Sequence, residues 1–160
     1  MRLTRQSPEA WQLQDIPPFF AVMLADLPRL AALHGEARER LYPDPVAADG
    51  AGDGLLSDWR EHVVPGLERL FATSREIVAR DIAAMDAGAE SARLAIPGKN
   101  IDAWLNALNQ ARLVIAGRNG FLEADLDSRE APDLSAARGV DLLRLHFYAH
   151  LQEVLVGAAG

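Results

Sequence analysis

Two long segments of this chain repeat apolar residues with the 3.6-residue period of an α-helix. In residues 65–87 the large apolar side chains fall within about 140° of one helical face, and Gly88 follows as a stop signal. Residues 100–118 carry a similar stripe before the stop Asn119-Gly120; it consists of Ile101, Trp104, Leu105, Leu108, Ala111 and Ile115. A chain with two such segments must bury both stripes, which predicts a mostly helical protein.

Shorter segments add further helices. Proline fits the first turn of a helix but breaks its interior, so we expect one helix over residues 17–26 and another beginning at Pro28. Ser57 is suited to cap a helix over residues 58–63. A last helix is expected from residue 134 or 136 to residue 156.

Strand signals are few. Residues 1–15 alternate apolar and polar side chains around a turn, which is compatible with a short β-hairpin. We expect residues 92–96 to be a short extended link and residues 47–54, which are rich in Ala, Gly and Asp, to be a loop. The sequence therefore predicts an all-α fold: one helical domain over residues 1–160, built as a compact bundle of four to six helices with the hairpin as an optional addition.

Composition excludes several classes of function. The 160 residues contain no Cys, so this chain has no disulfide, no thiolate metal site and no cysteine nucleophile. The net charge of −7 repels phosphate backbones, and we expect no direct binding of nucleic acid. The most apolar run, residues 19–25, is too short to span a bilayer, which needs about 20 residues. We therefore expect no membrane contact and a cytoplasmic location.

Two charged residues fall on the apolar faces of the long helices. Asp81 lies within the stripe of residues 65–87 together with Ser74, and Arg112 lies near the centre of the second stripe with Asn109 at its edge. A buried charge is costly unless it finds a partner. We therefore expect Arg112 and Asp81 to be buried and paired, either directly or through Asn109 or Ser74.

This polar network has two interpretations. In one it is a site inside the bundle that handles a ligand or a proton. In the other it is an internal ion pair that fixes the helix register, which is the commoner outcome in proteins.

Other candidate sites are weaker. His146, His150 and Glu153 share one side of the last helix and are weak metal-ligand candidates. The sequence has no G-x-S-x-G element and no Gly-rich phosphate loop, so we expect no catalytic residues, no bound metal, no cofactor and no enzymatic activity.

Several aromatic residues are candidates for partner contacts. Phe19 and Phe20 are consecutive on a short helix, Tyr148 is expected on the polar side of the last helix, and Phe121 follows a helix stop. Trp59 and the segment Arg40-Leu41-Tyr42-Pro43 form either a docking edge or, more commonly, a plug of the core.

The helix expected over residues 100–118, which we call the motif helix, resembles part of a known family. Its residues Trp104, Leu105, Leu108, Asn109, Arg112 and Leu113 match the core pattern of a bacterial, mainly actinobacterial family catalogued as domain of unknown function two thousand and seventeen (DUF2017). The chain departs from that pattern at Gln110, where Asp is common, and at Ala116. The resemblance extends from about residue 40 to the end of the chain.

The resemblance implies a compact helical regulator. Members are often encoded beside the ClpS proteolytic adaptor, and one is described as the oxidative-stress regulator AosR, which acts through partners in the transcription machinery. Redox regulation through thiols cannot be inferred for this chain from the resemblance, because the chain has no Cys.

Two classes of function follow. The first is a non-catalytic regulatory or adaptor-like protein that acts by protein–protein association, with a homodimer as one form. The second is a small-molecule- or metal-binding helical bundle, possibly an enzyme, built on Arg112, Asp81 and Asn109 or on the two histidines and Glu153.

Overall fold

A four-stranded antiparallel sheet lies beside the helices. The computed structural model describes residues 1–7, 9–33, 38–45, 53–122, 124–125 and 132–159. The strands are β1 (Arg2–Ser7), β2 (Ala10–Ile16), β3 (Asp86–Ala87) and β4 (Ala92–Pro97). They are arranged in the order β1-β2-β4-β3. The fold is therefore α+β, and the prediction of an all-α helical bundle was wrong.

Two strands, β3 and β4, were not predicted as strands. The helix expected over residues 65–87 ends at Ala83, so that Asp86 and Ala87 form β3 and Gly88 is not the helix stop.

β4 is the segment that was expected to be an extended link. In β4 the residues Ala92, Leu94 and Ile96 are buried and alternate with exposed Arg93 and Ala95, the two-residue period of a half-buried strand. Six residues give too short a pattern to separate a strand from a link. The pairing of β4 with β2 also joins distant parts of the chain, which local sequence does not report.

The N-terminal hairpin is confirmed. β1 pairs with β2 so that Leu3 lies opposite Leu13. The register of β2 against β4 shifts between Leu13 and Ile16, and Asp15 there has a left-handed φ of 53°. Because one residue is inserted, Leu13 and Ile16 both face the core, although their spacing is odd.

Helices make up most of the remaining described residues. They are α1 (Pro18–Ala31), α2 (Arg38–Leu41), α3 (Asp53–Asp58), α4 (Val64–Ala83), α5 (Ile101–Asn119) and α6 (Ala137–Ala159). A π-helical turn, Trp59–Val63, joins α3 to α4, and a 3₁₀ turn, Gly98–Asn100, precedes α5. No helix among the described residues has both the length and the apolar character needed to cross a membrane.

Several helix boundaries differ from expectation. Pro28 lies inside α1 and does not start a new helix. Ser57 lies within α3 and caps nothing at residue 58. Of the predicted loop, residues 47–52 fall outside the described residues, whereas Asp53 and Gly54 begin α3. The stop after α5 is confirmed, since Gly120 takes the left-handed φ of 59° that glycine adopts without strain.

α5 is the central element of the fold. It contacts α1, α4 and α6, and Trp104, Leu108 and Ile115 lie in the main core with residues of β2 and β4. Three alanines spaced by one turn let neighbouring helices approach closely: Ala103, Ala107 and Ala111, all buried. α5 is thus buried on more sides than the single stripe predicted.

A pair of aromatic residues joins α6 to α1. Tyr148, expected on a polar side, is fully buried, and its hydroxyl donates to the backbone oxygen of Met23 at 2.6 Å. The ring of the neighbouring Phe147 packs on Phe20 with centroids 4.6 Å apart. Burial of the hydroxyl raises the pKa of Tyr148 above its ordinary value of 10.0.

Tyr148→Phe tests this contact through pH. The folded-state pKa lies above the unfolded one, so the contribution of Tyr148 is complete below about pH 10 and is lost as pH rises towards the folded pKa. We expect the variant to be about 1 kcal/mol less stable near neutral pH and to lose less stability than the parent between about pH 9 and pH 11. Urea unfolding at several pH values measures both effects. Equal alkaline slopes for the two proteins would contradict the buried hydroxyl.

Candidate functional site

Asp81 is bound by neutral donors. Both of its carboxylate oxygens lie 3.0 Å from Nδ2 of Asn100, and Oδ2 also accepts from the indole Nε1 of Trp104 at 2.9 Å. Asp81 is half-buried near the end of α4, and both donors belong to the start of α5 and the turn before it. The carboxylate therefore ties these two helices together through neutral donors, and no ion pair of Asp81 occurs among the described residues.

Arg112 lies elsewhere on α5. Its Nη1 donates to Oε1 of Gln152 on α6 at 2.6 Å. Arg112 follows Trp104 by eight positions, about 12 Å along a helix axis. The predicted pairing of Arg112 with Asp81 was wrong. The prediction used only the angular positions of the two residues around their helix axes, and these angles do not report how far along each axis a residue lies.

The other two predicted network residues also separate. Ser74 is buried and accepts from Nδ2 of Asn106 at 3.4 Å, whereas Asn109 is exposed. Gln110, which is not part of the apolar stripe of α5, is fully buried. It accepts from Nη1 of Arg75 at 2.9 Å and donates to the backbone oxygen of Asn106 at 3.1 Å.

The α4–α5 seam is therefore a polar contact that sequence reasoning missed. The signal for it was present in the alanines of α5, since a helix with small residues at intervals of four packs closely on more than one side. The side chains of the seam hydrogen-bond across the contact: Asp81 with Asn100 and Trp104, Ser74 with Asn106, and Arg75 with Gln110.

The residues of the resemblance motif mainly form the core. Trp104 and Leu108 are fully buried, while Leu105 and Leu113 are half-buried. Leu113 packs against a second, smaller apolar cluster: Leu41, Tyr42, Val64 and Val114. The motif thus describes how α5 packs, and Arg112 is its charged exception.

The weak metal candidates do not converge. His150 and Glu153 are exposed, and His146 is half-buried with its Nε2 buried and unbonded. Among the described residues, no group of three His, Asp or Glu side chains lies close enough to hold a metal ion.

The π-helical turn borders an open cavity. The cavity has a volume of about 600 Å³, and its walls include Arg38, Tyr42, Asp44 and Arg60. Arg60 bonds both carboxylate oxygens of Asp44, at 3.2 and 2.5 Å, and lowers the pKa of that exposed carboxyl. Tyr42 is buried, with its ring 5.7 Å from that of Phe71. Tyr42 therefore belongs to the second cluster, as the core interpretation expects, whereas Arg40 and Pro43 are exposed.

One face of α1 is apolar and exposed. Phe19 is 48% exposed and Val22 63% exposed. Its one charged residue, Arg29, is already paired with Asp26 at 3.2 Å. We call this surface the α1 face; its residues are Pro18, Phe19, Val22, Ala25, Arg29 and, directly after the helix, Ala32.

Of the aromatic candidates, only Phe19 belongs to that face. Phe20 is half-buried against Phe147. Phe121 is buried under Arg138, whose guanidinium lies 4.4 Å from the ring centroid. Tyr148 is internal.

Comparison with known proteins gives the family. Residues 5–159 match the family described as a domain of unknown function, DUF2017. This chain belongs to DUF2017. The match begins in β1 and therefore includes the hairpin and α1, which the motif-based resemblance left out. Neither the curated proteins nor the solved structures gave a match.

A double-mutant cycle tests the separation of Asp81 from Arg112. Asp81→Leu leaves the Trp104 indole N–H and Asn100 without an acceptor, and we expect it to cost about 2–4 kcal/mol. Arg112→Leu removes one hydrogen bond and should cost about 1 kcal/mol. In the double variant the two costs should add to within about 0.5 kcal/mol.

The matched control is the cycle of Asp81→Leu with Asn100→Ala, because these two side chains touch. It should show a coupling of about 1 kcal/mol. All free energies are measured by urea unfolding. If the double variant of Asp81 and Arg112 recovered much of the lost stability, the two side chains would be directly paired, which would contradict the separation.

Proposed function

We propose that this DUF2017 chain is a non-catalytic regulatory protein that acts by association, and that the α1 face is its contact surface. The observation that carries the proposal is the composition of this face. A soluble helix normally presents charged residues to water, whereas here Phe19 and Val22 are exposed one turn apart. Exposed apolar residues that cluster on one surface mark partner contacts.

The spacing of the α1 face indicates what it contacts. Exposed positions recur at intervals of four and three residues, at Pro18, Val22, Ala25, Arg29 and Ala32. This is the spacing of the seam between two packed helices. The alanines leave room for large side chains of the other helix. We therefore propose an apolar helix of a partner protein as the occupant.

The resemblance described above supports the regulatory part of the proposal. An AosR-like role in the stress response, in the cytoplasm of an actinobacterium and in a genetic setting shared with ClpS, is the form we propose for it. Any stress signal must act on this chain without thiol chemistry, since the chain contains no Cys. Association through an apolar helix face needs no redox chemistry.

Site-specific photocrosslinking in the native host tests the contact surface. A photoreactive phenylalanine analogue placed at residue 19 should give a discrete crosslinked product with one partner protein. The same analogue at Leu70 is a matched control, because Leu70 is 49% exposed and lies on α4. Introducing Val22→Ser should weaken the crosslink about tenfold, and it should change the free energy of unfolding by less than about 0.5 kcal/mol.

Equal crosslinking from residues 19 and 70 would refute the α1 face as the contact. A product of twice the mass of the chain would identify a second copy as the occupant and would replace the partner helix in the proposal.

A further inference from the structure

Among the described residues, no carboxylate lies within ion-pair distance of Arg112. Ion pairs among the described residues involve other arginines: Arg29, Arg38, Arg60, Arg138 and Arg144. The hydrogen bond that Arg112 makes is to neutral Gln152. Its Nε is buried without a partner. A half-buried guanidinium held in this way is costly unless something compensates the charge.

A small cavity lies beside this guanidinium. It is formed between α5 and α6, has a volume of about 240 Å³ and is lined by Arg112, Ala149, Gln152, Glu153 and Val156. Oε1 of Gln152 is occupied by Arg112, so the amide nitrogen of Gln152 remains as a donor. The cavity therefore combines hydrogen-bond donors and the positive charge of Arg112 with two apolar side chains and the carboxylate of Glu153.

We propose that this cavity binds a carboxylate that bears a short aliphatic group. Nη2 of Arg112 and Nε2 of Gln152 donate to the two carboxylate oxygens, and the aliphatic group contacts Ala149 and Val156. A planar carboxylate fits the edge of a guanidinium. The site is independent of the α1 face, since it uses α5 and α6.

The volume and the charges of the cavity limit the class of ligand that it can bind. The volume is below the 300–1,000 Å³ or so that is usual for drug-sized ligands, so the cavity admits a small acid or the last residue of a peptide. Glu153, at the rim and exposed, repels a second negative charge. A monoanionic carboxylate is therefore favoured over a phosphate dianion.

NMR titration of the full chain with propionate tests the site. We expect saturable shifts of the Arg112 Nε–H and Gln152 side-chain amide signals, with a Kd of about a millimolar. Propionamide, which has nearly the same shape without the charge, should produce no such shifts. A tripeptide ending in alanine, with a free or an amidated C-terminus, separates the two sources: tighter binding of the free form than of propionate indicates a peptide end, and equal or weaker binding indicates a small acid.

Two variants should change the affinity for propionate in opposite directions. Glu153→Gln removes repulsion at the rim and should strengthen propionate binding about twofold to tenfold. Gln152→Glu supplies Arg112 with an internal carboxylate, so it should abolish binding while keeping the fold. The proposal is overturned if propionate gives no saturable shift, if propionamide binds equally well, or if Glu153→Gln leaves the affinity unchanged.

Discussion

The buried indole of Trp104 is the contact on which the arrangement of helices depends. A fully buried N–H must find an acceptor, because an unpaired one costs about 1–3 kcal/mol. Asp81 provides that acceptor at 2.9 Å and also binds Asn100. Asn100 is the N-cap residue of α5 but makes no side-chain cap bond there, so its amide serves the link to α4. The start of α5 is thereby fixed against the end of α4, and α1, α6 and the sheet pack around the helix so placed.

This arrangement uses part of the family-like motif of α5 for packing. Of the six motif residues in α5, Trp104 and Leu108 are fully buried, Leu105, Arg112 and Leu113 are half-buried, and Asn109 is exposed. A partner or ligand can meet only the outer surfaces that this core leaves, among them the α1 face and the edge of α5 at Arg112. Substitutions of exposed residues on these surfaces leave the core intact.

The sequence predicted those features whose signal is local. The span of α5 followed from its apolar period and from Gly120, and the hairpin followed from alternation around a turn. β4 was missed because its burial depends on pairing with β2, far away in the chain. Pro28 was assigned to a new helix, although it lies within α1.

The candidate site shows the same limit more sharply. Helical angles placed Asp81 and Arg112 on inward faces, and both are half-buried. Their partners depend on position along the helix axes and on which helices are neighbours. The apolar period of one helix contains no information on either. Gln110 was missed for a related reason: one stripe was assumed for a helix that packs on several sides.

Hydrogen exchange of the tryptophan indole groups, followed by NMR, tests the central role of Trp104 most directly. If its N–H is bonded to Asp81 in the core, it exchanges only when the protein unfolds globally, at the rate of the most protected backbone amides of α5. The half-buried Trp11 of β2 serves as the internal reference and should exchange much faster. Exchange of the Trp104 indole as fast as that of Trp11 would contradict the account.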